Sequence, residues 1–296
     1  MKKIKEIITN FINGFCMALA DSVPGVSGGT VAFILGFYDK FITSIDDLFR
    51  GNWEEKKKAF IYLIKIGIGW GVGFLLAASI LSSLFTTKIY EMSSLFLGFI
   101  IFAIPLVIKE EKESVKGKYK NIVFAVLGIA LVVAITLISM KANANMDLQK
   151  LNIGTIVYLF IAAMVAISAM ILPGISGSTI LLIFGLYIPI MSNIKALLGF
   201  NFSVLPSLII FGIGLIVGVM LFAKVARKCL EKHRSQTVYA ILGLMLGSIF
   251  SIIMGPTTLE IPQTAMTFSS FSIIFFVLGG AIIAGLELLK HFLNKK

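Results

Sequence analysis

The fold of this chain follows from two related stretches of sequence, Val23-Pro24-Gly25-Val26-Ser27-Gly28-Gly29-Thr30 and Leu172-Pro173-Gly174-Ile175-Ser176-Gly177-Ser178-Thr179. Each interrupts an apolar segment, 7–38 or 153–194, that is too long for one membrane crossing. Proline lacks a backbone N–H and pushes the preceding residue out of the helical conformation. Val23 and Leu172 are therefore predicted to end one helix, and Ser27 and Ser176 to cap the next. Each long segment becomes a helical hairpin, with Pro24-Gly25 or Pro173-Gly174 as its hinge.

The composition places these hairpins in a membrane. Hydrophobic residues make up 58% of the 296 residues and charged residues 14%, and the mean hydropathy is +0.98. A soluble domain is about 45–50% apolar and about 25% charged, and disordered chains are more polar still, so both classes are excluded. Six further apolar segments of roughly one membrane crossing each complete an all-α integral membrane protein: 61–85, 92–108, 121–140, 204–226, 237–254 and 269–289.

The two halves of the chain are copies of one another. Pro24 and Pro173 are 149 residues apart, and the same distance separates Thr30 from Thr179. Further matches at that spacing or a few residues from it pair Gly36 with Gly185, Tyr38 with Tyr187, Leu97-Gly98 with Leu242-Gly243, and Leu127-Gly128 with Leu278-Gly279. We therefore predict two tandem membrane repeats, 1–145 and 146–296, each with one hairpin and three transmembrane helices.

The distribution of Lys and Arg predicts the orientation of these repeats. If both hairpins return to the side they entered, 22 of the 26 basic residues lie on one side of the membrane. If every segment crosses once, the basic residues divide almost evenly. Basic loops are cytoplasmic, so both termini are predicted to be cytoplasmic and the repeat to have inverted topology. Hairpin arms of about 15 residues reach only about 20 Å, which favours re-entrant hairpins. Hairpins that span the membrane fully would also return the chain to the side it entered, so they remain an alternative.

The hairpin tips, residues 23–30 (first tip) and 172–179 (second tip), have the chemistry of an anion site. Each begins a half-helix within the membrane, where free N–H groups and a partial positive charge of about 0.5 attract negative charge. The predicted substrate-binding residues are Ser27, Gly28, Gly29, Thr30, Ser176, Gly177, Ser178 and Thr179. The alternative interpretation is structural, with glycines that permit tight turns and hydroxyls that cap their own helices.

Charge balance leaves one question open at this site. Two helix ends supply about one positive charge, less than a phosphate monoester needs, and neither tip contains Lys or Arg. A proton, a cation or a basic residue at a segment end would supply the rest; the candidates are Lys65, Lys88, Lys195, Lys224 and Arg227. Asp21, an acid within an apolar stretch, is the predicted coupling residue for H⁺ or Na⁺. The glycine-rich stretches 67–73 and 212–218 are predicted to permit close helix packing.

Other classes of function find no support in the sequence. The net charge of +11 is explained by cytoplasmic loops and lipid head groups rather than by nucleic acid. No metal-ligand cluster or catalytic triad is visible, so we expect neither an enzyme nor a cofactor. Cys16 and Cys229 are not expected to form a disulfide. The first 20 residues resemble a signal peptide, but polar residues interrupt the apolar run and we expect it to be retained.

The doubled motif resembles the PopT family of bacterial polyprenyl-phosphate transporters, formerly described only as a domain of unknown function. The resemblance rests on Ala20-Asp21-Ser22 leading into the first tip, on Gly36-Phe37-Tyr38-Asp39, and on the second tip with Gly185-Leu186-Tyr187. It implies a multi-pass plasma-membrane translocase that returns undecaprenyl phosphate from the outer to the inner leaflet for reuse in cell-envelope synthesis. Its partners would be the lipid substrate and the bilayer, and a homo-oligomer is compatible with the sequence.

A transporter or channel for a small soluble anion remains the alternative, because it would use the same helix ends. A lateral opening wide enough for a hydrocarbon chain would favour the lipid, and a closed aqueous vestibule would favour the soluble anion.

Overall fold

The computed structural model describes residues 2–21, 27–140, 148, 151–175, 177–258 and 262–294. Within these ranges every regular element is a helix. The α-helices are α1 Lys2–Asp21, α2 Gly28–Ile34, α3 Tyr38–Arg50, α4 Trp53–Thr87, α5 Ile89–Glu110, α6 Lys112–Val115, α7 Ile122–Ser139, α8 Ile153–Ile171, α9 Gly177–Ile183, α10 Tyr187–Leu198, α11 Leu205–Lys232, α12 Arg234–Met254 and α13 Ile273–Asn294. Three short 3₁₀ turns lie at Tyr119–Asn121, Phe202–Val204 and Gly255–Thr258.

The described helices confirm a multi-pass membrane protein. Six of them are long and apolar enough to cross a bilayer: Trp53–Leu76, Ile89–Glu110, Tyr119–Ile138, Ile153–Ile171, Phe202–Lys232 and Arg234–Thr257. Five coincide with predicted crossings. The sixth is the first arm of the second hairpin. The last predicted crossing, 269–289, coincides with α13, which contains the apolar stretch Ile273–Gly285.

The hairpin arms differ in length from the expected 15 residues. The first arms, α1 and α8, are 20 and 19 residues long, or about 30 and 28 Å at 1.5 Å per residue. The second arms, α2 and α9, are only seven residues each. The expected length of about 15 residues is therefore too short for the first arms and too long for the second.

The second arms end at a glycine that the sequence had shown only as a repeated residue. Gly36 and Gly185 adopt positive φ angles of 73° and 64°, which glycine accepts without steric cost. The amide of the next residue then donates to a carbonyl five residues back, from Phe37 to Ala32 and from Leu186 to Leu181. This is the hydrogen bond of a Schellman motif, and it separates the short arms from α3 and α10. The predicted segment 153–194 is thus divided into three helices, and the segment 7–38 into two, with α3 beginning at its last residue.

Glycines let the long helices of each half pack closely on the first hairpin arms, as predicted for part of the two glycine-rich stretches. A Cβ at Gly69 or Gly73 would overlap the α1 backbone at Phe11 or Phe15. A Cβ at Gly214 or Gly218 would meet α8 in the same way. The prediction is wrong for Gly67, Gly71 and Gly212, where a Cβ would meet no atom within 4 Å.

The two halves exchange their last helices. In the first pair, α13 of the second half packs on α5 of the first, where a Cβ at Gly98 would overlap Phe276 and one at Gly279 would overlap Leu95. The repeated Leu-Gly pairs found in the sequence therefore mark positions where the backbones of these helices approach closely.

The same arrangement recurs with the halves reversed. Here α7 of the first half packs on α12 of the second, with Gly243 against Ala125 and Gly128 against Ala240. Since each half supplies one helix to the other, the halves do not form separate packing units.

Candidate functional site

The two hairpin tips meet through side chains of the first and backbone of the second. The Ser27 hydroxyl donates to the Leu172 carbonyl at 2.8 Å and accepts from the Gly174 N–H at 3.2 Å. The Thr30 hydroxyl oxygen accepts from the same N–H at 2.8 Å. Ser27 and Thr30 are 1% and 0% exposed, so these bonds form in a desolvated contact between the halves.

Ser27 also caps α2, as predicted. Its hydroxyl oxygen accepts from the Thr30 N–H at 3.3 Å, and its backbone is extended. At the second tip, α8 ends at Ile171 as Leu172-Pro173 predicted, and Gly174 has a φ of 86°. In this arrangement the hydroxyls of the first tip bond their own helix and the other tip, which matches the structural interpretation of the motif.

Asp21 is the last residue of α1, and its carboxylate lies at the start of α2. Its Oδ1 accepts from the Gly28 N–H at 2.6 Å, and its Oδ2 accepts from the Trp70 indole at 2.9 Å. A carboxylate at a helix N-terminus is electrostatically favourable, so the first tip already holds an anion that belongs to the chain. The residue 149 positions later is Met170, whose side chain lies beside Gly177. The two positions, Asp21 and Met170, therefore differ in charge.

The remaining predicted site residues fall partly outside the described structure. Gly28 and Gly29 are buried, as is Gly177 at the second tip, and Thr179 is half-buried. Pro24, Gly25 and Ser176 lie outside the described residues, and so does the side chain of Ser178.

A cavity of about 220 Å³ adjoins the first tip. Its wall includes Asp21 and Gly29 at the tip, Trp70 and Gly67 on α4, and apolar side chains from α1, α3, α8 and α11. Among the described residues that line it, Asp21 is the only ionisable one. The cavity thus combines an apolar wall with direct access to the first tip.

Two of the predicted basic candidates are bound to carboxylates instead of being available to an anion. Arg227 donates to Asp46, Asp47 and Glu231 at 3.2, 2.6 and 2.9 Å, and the Lys65 Nζ lies 3.1 Å from Glu6. Arg227 joins α3 to α11, so its observed role is to connect the halves.

Sequence reasoning missed Arg234 and Trp70. Arg234 donates to Asp39 at 2.6 Å and forms a two-pronged pair with Glu111. Burial alone would raise the pKa of Glu111, but hydrogen bonds from Arg234 and Ser114 and the charge of Arg234 outweigh it and lower that pKa. The only signal in the sequence was the placement of Asp39, Glu111 and Arg234 in three loops predicted on the same side. Trp70 gave no signal, because an aromatic residue in an apolar segment is ordinary.

Comparison with known proteins identifies the family. A family model described as VCA0040-like, undecaprenyl phosphate translocase-like, matches residues 17–270. A polyprenyl-phosphate transporter of Staphylococcus aureus is 36% identical over 94% of this chain and 95% of its own length. A second protein of that name, from Vibrio cholerae, is 30% identical over 83% and 78%. No solved structure matches. The chain belongs to the undecaprenyl phosphate translocase-like family.

Proposed function

We propose that this protein transports polyprenyl phosphate across a bacterial plasma membrane, moving undecaprenyl phosphate from the outer to the inner leaflet for reuse in envelope synthesis. The relatives named polyprenyl-phosphate transporters support the substrate class. The observation that carries the mechanism is the contact between the two tips, in which Ser27 and Thr30 bond Leu172 and Gly174 across the halves.

In this proposal the tip contact is a closed state that the phosphate opens. The Ser27 hydroxyl donates to a carbonyl, and the Gly174 N–H donates to two hydroxyls; phosphate oxygens can accept from all of these donors. The head group would replace the inter-tip bonds by bonds to the predicted residues of both tips. Buried donors would remain paired throughout, which avoids the cost of leaving them unsatisfied.

An inverted repeat with cytoplasmic termini is part of the same proposal. Arg234 bonds both Asp39 and Glu111. These three residues lie in three different loops, all of which are predicted to be cytoplasmic. On the opposite side, the Tyr90 hydroxyl bonds Thr264 across two loops predicted to be external. If every apolar segment crossed once, these partners would be on different sides, so the contacts favour hairpins that return.

The seven-residue helices α2 and α9 support re-entrant tips. Each spans only about 10 Å, too short to continue across about 30 Å of hydrocarbon. Half-helices that end inside the membrane, one from each half, are typical of substrate sites in secondary transporters.

Asp21 is proposed to couple transport to H⁺ or Na⁺. Its carboxylate bonds the Gly28 N–H, which the proposal assigns to the phosphate. A phosphate approaching this helix end meets a like charge, and neutralising Asp21 with a proton or cation would remove the repulsion. The charge deficit at the tips would be reduced by the same event.

Proteoliposomes containing the purified protein test the function. Labelled undecaprenyl phosphate should lose its accessibility in the outer leaflet, while labelled inorganic phosphate should not enter the vesicles. The double variant Ser27→Ala with Ser176→Ala should slow lipid movement by about tenfold for each charge-assisted bond lost.

The variant with Thr at both positions keeps the hydroxyls and is the matched control, and thermal unfolding verifies that each variant folds. Undiminished lipid movement in the alanine variant would remove the tips from the mechanism. Uptake of inorganic phosphate without lipid movement would establish the soluble-anion alternative.

A further inference from the structure

We propose that the cavity beside the first tip binds the isoprene units next to the phosphate, so that the protein recognises a hydrocarbon chain as well as a head group. This inference rests on the proposed function and assigns a second part of the substrate to a second place in the fold.

The chemistry of the wall selects an apolar occupant. The described lining contains no Lys or Arg, and its one charged group, Asp21, is an acid. A phosphate in the cavity would meet that carboxylate with no compensating cation. While the Gly28 N–H is not taken by a phosphate, both Asp21 oxygens accept hydrogen bonds, from Gly28 and Trp70, so a hydrocarbon can pack beside them without leaving either oxygen unpaired.

The size and position of the cavity fit a short stretch of chain. About 220 Å³ is below the range of about 300–1,000 Å³ common for pockets that enclose a whole drug-sized ligand. Gly29 of the first tip forms part of the wall, so a chain in the cavity would end where the proposal places the phosphate.

The cavity also reaches the outer surface of the protein. Gly67 belongs to its wall and is itself exposed, and a Cβ there would meet no atom within 4 Å. Its neighbours Ile64 and Ile68 are 43% and 58% exposed on a helix that crosses the membrane, so this border faces lipid. The rest of a long chain can leave through this opening and remain in the bilayer.

Gly67 offers a substitution that obstructs the opening of the cavity without disturbing packing. Gly67→Leu places a side chain in open space at the opening. Gly212→Leu is the matched control, because Gly212 is the corresponding residue of the second half, a Cβ there also meets nothing within 4 Å, and it does not line the cavity.

Tryptophan fluorescence reports occupancy directly. The chain has two tryptophans, of which Trp53 is 79% exposed and Trp70 lines the cavity. In a Trp53→Phe background, farnesol and farnesyl phosphate should change the Trp70 emission saturably, and inorganic phosphate should not. Gly67→Leu should weaken farnesol binding by about tenfold, the size of effect that misplaced methylene groups cause in apolar pockets, and Gly212→Leu should leave it unchanged.

Farnesol separates this inference from the proposed function because it carries no phosphate. A missing Trp70 response to farnesol, or equal affinities in Gly67→Leu and Gly212→Leu, would overturn the cavity assignment whatever the transport assay gives. A farnesol response that Gly67→Leu weakens, in a protein that moves no polyprenyl phosphate in liposomes, would uphold the chain site and refute the transport proposal.

Discussion

Asp21 differs from the uncharged serines and threonines of the tips because it carries a charge, opposite in sign to that of the α2 helix end that it contacts. Its position in an apolar stretch identified it in the sequence as a candidate functional residue. The structure shows the two hydrogen-bond donors to its carboxylate, the Gly28 N–H and the Trp70 indole. Trp70 lies 49 residues further along the chain, so no local pattern could have identified it.

Replacing Asp21 with Asn tests its proposed coupling role. An amide has one acceptor oxygen and a nitrogen that only donates, so one of the two bonds is lost at a cost of about 0.5–1.5 kcal/mol in stability. Asp21→Asn can no longer change charge, and we expect its transport rate in proteoliposomes to lose its dependence on the H⁺ or Na⁺ gradient.

Trp70→Phe is the control for that experiment, since it removes one donor but keeps the carboxylate and should retain the dependence. If Asp21→Asn responds to both gradients as the unmodified protein does, Asp21 is not the coupling residue.

At the scale of helices, the contacts that join the halves depend on glycine. Gly98 and Gly243 are matched by the predicted repeat, and a Cβ at either would overlap the backbone of a helix from the other half of the chain. The backbone atoms that this Cβ would overlap cannot move aside as the end of a flexible side chain can.

Gly98→Leu and Gly243→Leu should each lower the free energy of unfolding by about 1–3 kcal/mol, the usual cost of overpacking. Gly285→Leu is the matched control, because it changes the same residue type in α13 where a Cβ would meet nothing within 4 Å. Unfolding in increasing fractions of sodium dodecyl sulfate measures the difference. Equal stability of all three variants would show that these crossings tolerate a side chain and that the packing differs from that described.

The ion pair between Glu111, at the end of α5, and Arg234, at the start of α12, predicts a pH-dependent contribution to stability. The Glu111 pKa lies below its ordinary value of 4.5, so its pairing with Arg234 stabilises the fold fully above that value and is lost as the pH falls through the lowered pKa. Arg234→Gln should therefore reduce the thermal unfolding temperature most at neutral pH and progressively less below pH 4.5.

Arg234→Lys keeps the charge but not the two-pronged geometry. Its unfolding temperature at neutral pH should therefore lie between those of the unmodified protein and Arg234→Gln. A deficit in Arg234→Gln that is the same at neutral and at acid pH would mean that Arg234 acts through packing rather than through the Glu111 charge.

At the scale of the whole molecule, orientation in the membrane follows from which loops share a side. Single cysteines placed in a background without Cys16 and Cys229 are expected to be cytoplasmic at positions 113 and 232 and external at 145 and 260. A membrane-impermeant maleimide applied to intact cells should label only the second pair. Labelling of 113 or 232 from outside would contradict the inverted repeat.

The sequence by itself determined the class of protein and the broken segments, and it predicts the duplication. These features depend on composition, on the backbone chemistry of proline and glycine, and on a repeated motif, all of which are local or can be counted along the chain. It also singled out Ser27 as a helix cap and the glycines at 69, 73, 214 and 218 as packing positions, and the structure confirms them.

Only the tertiary structure decided what the tips touch. The bonds of Ser27 and Thr30 to the second tip, the indole that holds Asp21, and the exchange of α7 and α13 between halves all join residues far apart in the chain. The sequence cannot distinguish a hydroxyl that caps a helix from one that is free to bind a ligand. The difference lies in the partner that packing brings within 3 Å. For the same reason, two matching glycines could not show that Gly67 lines the cavity beside the first tip and that Gly212 does not.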